Sequence, residues 1–140
     1  MEMAVQYYSK SGNTKKLANA IAKEVGCRAL TIDEELEGKV DLLFLGASVY
    51  WNGIDKKVKD YIKSLNPLRV KRVAIFSTSA MAERAFPEIK KLLMEKGITV
   101  EERNYYCRGQ FTAMHRGRPN EDDLKQAEEF AKTFLEEGRN

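Results

Sequence analysis

Cysteine is scarce: Cys27 and Cys107 are the only two in 140 residues. That excludes a disulfide scaffold and a cysteine-built zinc module. A single histidine, His115, excludes most histidine-rich metal sites. Neither sign of charge dominates. Lys and Arg number 24 against 21 Asp and Glu, and the net charge of +3 is too small to argue for nucleic acid. No stretch approaches the ~20 apolar residues of a membrane helix. Met1 to Tyr8 has no basic region ahead of an apolar run, so no signal peptide is expected. No two glycines lie two apart, which removes the G-x-G-x-x-G fingerprint of a dinucleotide fold. The expectation is a soluble cytoplasmic protein with reduced thiols and no membrane span.

What is present is an alternation of two periods. Met3–Tyr8, Cys27–Ile32, Val40–Ala47, Arg72–Ser77 and Ile98–Tyr106 are short apolar or β-branched runs that read as strands. Between them, Asn13–Val25, Ile54–Leu65 and Arg84–Lys96 carry apolar residues at helical spacing, such as Leu17, Ala18, Ile21 and Ala22. Asn120 is placed to cap a last helix, with Glu121, Asp122 and Asp123 in its first turn. Strand–helix alternation predicts an α/β fold: a parallel sheet with helices on both faces, in a single domain spanning residues 1–140. In such sheets a ligand binds beyond the carboxyl ends of the strands, where the strand order reverses. That directs attention to Ser9–Asn13, Ser48–Gly53 and Ser77–Glu83.

The first of these, Ser9-Lys10-Ser11-Gly12-Asn13-Thr14, has hydroxyls in alternation and one glycine ahead of a helix. Hydroxyls and free helix-start amides can wrap a phosphate without a cationic side chain. The same residues also serve as an ordinary helix cap. The hexapeptide resembles the phosphate loop of the flavodoxin family. Leu45-Gly46-Ala47-Ser48-Val49-Tyr50-Trp51-Asn52-Gly53 is similar to that family's second flavin loop, and Phe76-Ser77-Thr78-Ser79 to the start of its third. Arg118 to Leu124 is similar to the segment opening its last helix. The resemblance covers the whole chain. It implies a five-stranded sheet of order 2-1-3-4-5 binding FMN, in a protein that passes electrons between redox partners.

Carried over residue by residue, the resemblance implies that Ser9, Lys10, Ser11, Gly12, Asn13 and Thr14 hold the phosphate. Ser48, Val49, Tyr50, Trp51, Asn52 and Gly53 flank the ring, with Tyr50 or Trp51 stacked on it. Ser77, Thr78 and Ser79 face its pyrimidine edge. The family's third-loop aromatic is missing, and Met81 is the candidate to cover the second ring face. The glycine that flips against the flavin in flavodoxins comes late here, at Asn52-Gly53, which leaves that device open.

Lys56, Lys57, Lys59 and Lys63 follow the second loop. They are either a solvated face or a docking patch for an acidic redox partner. Neither of the first two loops carries an acid, so a reduced flavin is expected to be less disfavoured than in acidic flavodoxins. Cys27, Cys107 and His115 are expected to be structural or solvated rather than chemical. Two alternatives to the electron carrier stand. One is a small FMN-dependent oxidoreductase acting on a quinone, NAD(P)H or a porphyrinogen-type substrate. The other is a flavin-free binding scaffold. The lack of aspartates at the ends of the first and third strands argues against a phosphoacceptor module.

Overall fold

A computed structural model describes residues 1–50, 53–79, 85–110 and 117–137, with Tyr50 described by its backbone alone. The elements are β1 (Met3–Tyr7), α1 (Asn13–Val25), β2 (Ala29–Thr31), β3 (Val40–Tyr50), β4 (Gly53–Ile54), α2 (Lys56–Ser64), β5 (Val70–Ser79), α3 (Ala85–Glu95), β6 (Thr99–Val100), β7 (Tyr105–Arg108) and α4 (Glu121–Glu137). The strands join in one sheet of order β2-β1-β3-β5-β6, with β7 also on β5 and β4 turned back on β3. All pairings are parallel except β3 with β4. The order 2-1-3-4-5 holds, with the last strand in two pieces.

Burial on both faces explains the apolar run Leu42–Ala47 within β3. Leu43, Leu45, Ala47 and Val49 face α2 and α3, where Val58, Ile62, Ile89 and Leu93 meet them. Leu42 and Phe44 face the other way, against Leu17, Ile21, Phe130 and Phe134 of α1 and α4. Phe44 and Phe134 meet edge to face at 5.4 Å.

The structure departs from the sequence reading at the carboxyl edge of the sheet. β3 runs on to Tyr50 and β5 to Ser79, because their ladder continues through Ser48↔Thr78 and Val49↔Ser79. Ser48, Val49, Thr78 and Ser79 are therefore strand residues rather than loop residues, as is Tyr50 through its pairing with Gly53, and Ser77 lies within the strand. Ile54 belongs to a short hairpin, and α2 begins at Lys56 behind the Asp55 cap. The last strand is interrupted. From Val100 to Tyr105 the chain advances five residues while β5 advances three, from Val73 to Phe76, so two residues loop out.

Candidate functional site

The strand order reverses between β1 and β3, where Tyr7 pairs with Gly46 and Tyr8 N–H donates to Gly46 O at 3.1 Å. The first loop rises from this point. Ser9 Oγ accepts from Gly12 N–H at 3.0 Å and closes a tight turn. Gly12 has φ of 90°, a left-handed conformation that a side chain would strain. The turn aims the start of α1 over the sheet edge. The amides of Ser11, Asn13, Thr14 and Lys15 meet no acceptor among the described residues; after Gly12, the next amide bonded back along the chain is that of Lys16, to Gly12 O. A cluster of unmet amides at the positive end of a helix is a cradle for an anion.

Both faces of the sheet turn from aliphatic to hydroxyl-bearing at this edge. Thr14 in the first turn of α1, Ser48 near the end of β3 and Thr78 near the end of β5 form a closed triangle of hydroxyls. Thr14 Oγ1 lies 2.7 Å from Ser48 Oγ and 2.9 Å from Thr78 Oγ1, and Ser48 and Thr78 lie 3.2 Å apart. Their exposures are 0%, 7% and 1%. Each hydroxyl can donate once around the ring, so all three are satisfied without water. The triangle ties the three loops to one another.

Other side chains of the first loop are also engaged. Lys10 Nζ lies 3.2 Å from Asp55 Oδ2, joining the first loop to the start of α2. Asp55 Oδ1 accepts from Lys57 N–H at 2.8 Å, which caps α2. That hydrogen bond, with Lys10 beside it, holds the Asp55 carboxyl below its ordinary range. Asn13 Nδ2 donates to Gln110 O at 2.9 Å, so the segment after β7 is latched to the first loop. Ser11 is exposed.

The second loop turns back where Tyr50 pairs with Gly53. Gly53 has φ of 92°, and a Cβ there would meet Glu88 Oε1 at 2.7 Å. Glu88, from the first turn of α3, accepts from Ile54 N–H at 3.0 Å and lies 3.5 Å from Lys59 Nζ. The sequence reading missed Glu88. Its position in a helix gave no sign that it reaches another loop. Trp51, Asn52, Met81 and the side chain of Tyr50 lie outside the described residues, as does His115.

The last helix opens on a built cap. Asn120 Oδ1 accepts from Asp123 N–H at 2.9 Å, and Asp123 Oδ2 accepts from Asn120 N–H at 2.8 Å. Asp123 is buried and forked by Arg118, at 2.5 and 2.7 Å. Asp123 is thus a structural anchor rather than a solvated first-turn acid. Cys107 is buried, and burial first, then the Asp123 charge, push its thiol up to about 12. It is a protonated core residue at neutral pH.

Lys56 pairs with Asp60 at 2.9 Å, and Lys59 with Glu88 as above. Lys57 is exposed, with its Nζ 5.7 Å from the Tyr8 ring centroid. Among the described residues no cluster of His, Cys, Asp and Glu is arranged to hold a metal, and no helix is long and apolar enough to cross a membrane.

Fold and site together define an open, doubly wound α/β protein whose candidate site lies at the reversal of strand order. Residues 4–114 match the family model of the flavodoxin domain, and the chain belongs to that family. An uncharacterized protein of Methanocaldococcus jannaschii is 28% identical, with 88% of this chain and 90% of that one covered. A flavodoxin from the domain Archaea shares the fold at a TM-score of 0.83 and 19% identity, over 100% of both chains. Oxidised Flavodoxin 2 from Bacillus cereus follows at 0.72 and 20%, over 98% of this chain and 99% of that one. A flavoprotein in complex with FMN from Lactobacillus acidophilus NCFM gives 0.62 and 19%, over 76% of this chain and 92% of that one.

Proposed function

We propose that the protein binds FMN at the carboxyl edge of its sheet and carries electrons between protein partners in the cytoplasm. One observation carries this reading: unmet amides of Ser11, Asn13, Thr14 and Lys15 stand at the strand-order reversal, beside two further loops bound into the same hydroxyl triangle. The cradle fits a phosphate, because amide donors and a helix dipole favour a dianion without a cationic side chain. In this reading Ser9, Lys10, Ser11, Gly12, Asn13 and Thr14 build the phosphate end. Amides of the loop are the donors, Ser9 closes the turn, and the hydroxyl of Thr14 braces the loop from below. Ser48, Val49, Tyr50, Trp51, Asn52 and Gly53 form one wall for the ring, with Tyr50 or Trp51 stacked on it. Ser77, Thr78 and Ser79 face its pyrimidine edge, and Met81 covers the second face. The flavin supplies the redox chemistry when bound; the chain supplies binding, orientation and field.

The proposed partner surface is the rim at Lys56, Lys57 and Lys59, suited to an acidic redox protein. Two of these lysines are already paired within the chain, so Lys57 carries most of the attraction. The test is the visible spectrum of the purified full-length protein before and after FMN is added, with riboflavin in parallel. Saturable binding of one FMN per chain, tighter than riboflavin, is the expected result. A colourless protein that ignores both flavins overturns the reading and leaves the fold as a binding scaffold.

A further inference from the structure

On the face of the sheet covered by α2 and α3, side chains change character toward the carboxyl edge. Along β5, Val73 and Ile75 belong to the core, and the next two residues on that face are the buried Ser77 and Ser79. Their partners in register on β7 are Tyr106 and Arg108. Arg108 therefore stands at the end of a polar row, beside the start of the third loop. Gly109 N–H, donating to Ser79 O at 3.3 Å, pins the backbone there.

The Arg108 guanidinium lies 5.6 Å from the Tyr106 ring centroid. Its Nη1 is buried and has no hydrogen-bond partner among the described residues. The other described arginines all have acceptors. Arg28, Arg72, Arg103 and Arg118 meet carboxylates, and Arg69 meets the carbonyls of Leu36 and Gly38. A buried donor on a cation costs more to leave unmet than a neutral one, so an orphan of this kind points to an absent acceptor. That acceptor is not the phosphate proposed at α1. Thr14, which starts α1, bonds to Thr78 on the opposite face of β5 from Ser77 and Ser79.

We propose that Arg108 donates to the carbonyl-bearing pyrimidine edge of the flavin ring, and that its charge favours the reduced flavin over the oxidised one. This rests on the FMN reading above. The pyrimidine edge offers oxygen acceptors and takes up negative charge when the ring is reduced. A cation beside it strengthens binding of the reduced form more than the oxidised form, which raises the potential. The device is the reverse of a carboxylate-lined site.

The test uses the full chain with Arg108→Gln and Arg108→Lys. The midpoint potential of bound FMN is read by dithionite titration against a reference dye, and the melting temperature is read on the flavin-free protein. Arg108→Gln should lower the ratio of reduced to oxidised affinity about tenfold, read as a midpoint about 30 mV lower for a two-electron couple. Arg108→Lys keeps the charge and should stay closer to wild type. The flavin-free Arg108→Gln protein should melt no lower than wild type, because a buried donor with no partner among the described residues has gone. An unmoved potential, equal shifts in both variants, or a clear drop in the flavin-free melting temperature each overturns the assignment of Arg108 alone. Wild-type protein that binds no FMN overturns it together with the reading it rests on.

Discussion

A hydroxyl with no access to water must find partners inside the protein or weaken the fold. Thr14, Ser48 and Thr78 solve this by bonding to one another, and each brings a separate loop with it. Thr78→Val should therefore cost about 1–3 kcal/mol in urea unfolding. It should also loosen FMN, although the hydroxyl points to protein. Combined with Thr14→Val, the loss should fall short of additive, since the two share one network. Two buried titrating groups give the fold opposite pH limits. Burial raises the Asp123 carboxyl, but Arg118 and the Asn120 amide outweigh it, and the net shift is downward. Its contribution is full above the unfolded carboxyl value near ~3.9 and is lost as pH falls through the lower folded value. Asp123→Asn should flatten the acid limb of a melting-temperature profile. Cys107 is raised to about 12, so the unfolded chain ionises first and stability falls as pH rises from the ordinary thiol range toward that value. Cys107→Ala should flatten the alkaline limb. At this scale the sequence is only partly legible. Gln6 sits in an apolar run with nothing to mark it, yet it is fully buried. It donates to Thr31 O and Glu34 O and accepts from the Tyr61 hydroxyl. Those partners come from other elements, so the residue's own neighbours in sequence do not reveal them.

Helices were legible because apolar residues at a period of 3.6 leave a signal over many residues. Strand ends were not, because the ladder between β3 and β5 continues through Ser48, Val49, Thr78 and Ser79, which read as loop. The hairpin of β3 and β4 and the break in the last strand were hidden for a related reason. Both depend on which residues pair across the sheet, and Glu101, in the break, is held by Arg72 from β5. Gly53 shows the coupling between elements most clearly, since its conformation strains any side chain and a Cβ there would push the Glu88 carboxylate aside. Gly53→Ala should destabilise the protein by at least about 1 kcal/mol and weaken FMN more than that loss explains, checked by urea unfolding beside flavin titration. Asp55→Ala should cost about 1 kcal/mol from the lost cap of α2. It also removes the Lys10–Asp55 ion pair that joins the first loop to α2.

Taken whole, the molecule places its aliphatic core beneath a rim of amides and hydroxyls, and the rim lies where the strand order reverses. The family resemblance was readable because the three loop motifs occur in the right order along the chain; no one of them distinguishes a phosphate cradle from a helix cap. What the sequence could not show was which groups remain unmet after folding. Amides of α1 do, while the hydroxyl of Thr14 and the amide side chain of Asn13 do not. The central claim is that FMN sits on those amides. The most direct test is a titration of the uniformly labelled protein with FMN, followed by backbone amide chemical shifts. The account predicts the largest shifts at Ser11, Asn13, Thr14 and Lys15, with further shifts at Val49, Gly53 and Ser79. Shifts confined to another surface, such as the cleft between α2 and the segment Ile32–Gly38, or no shifts at all, would contradict it.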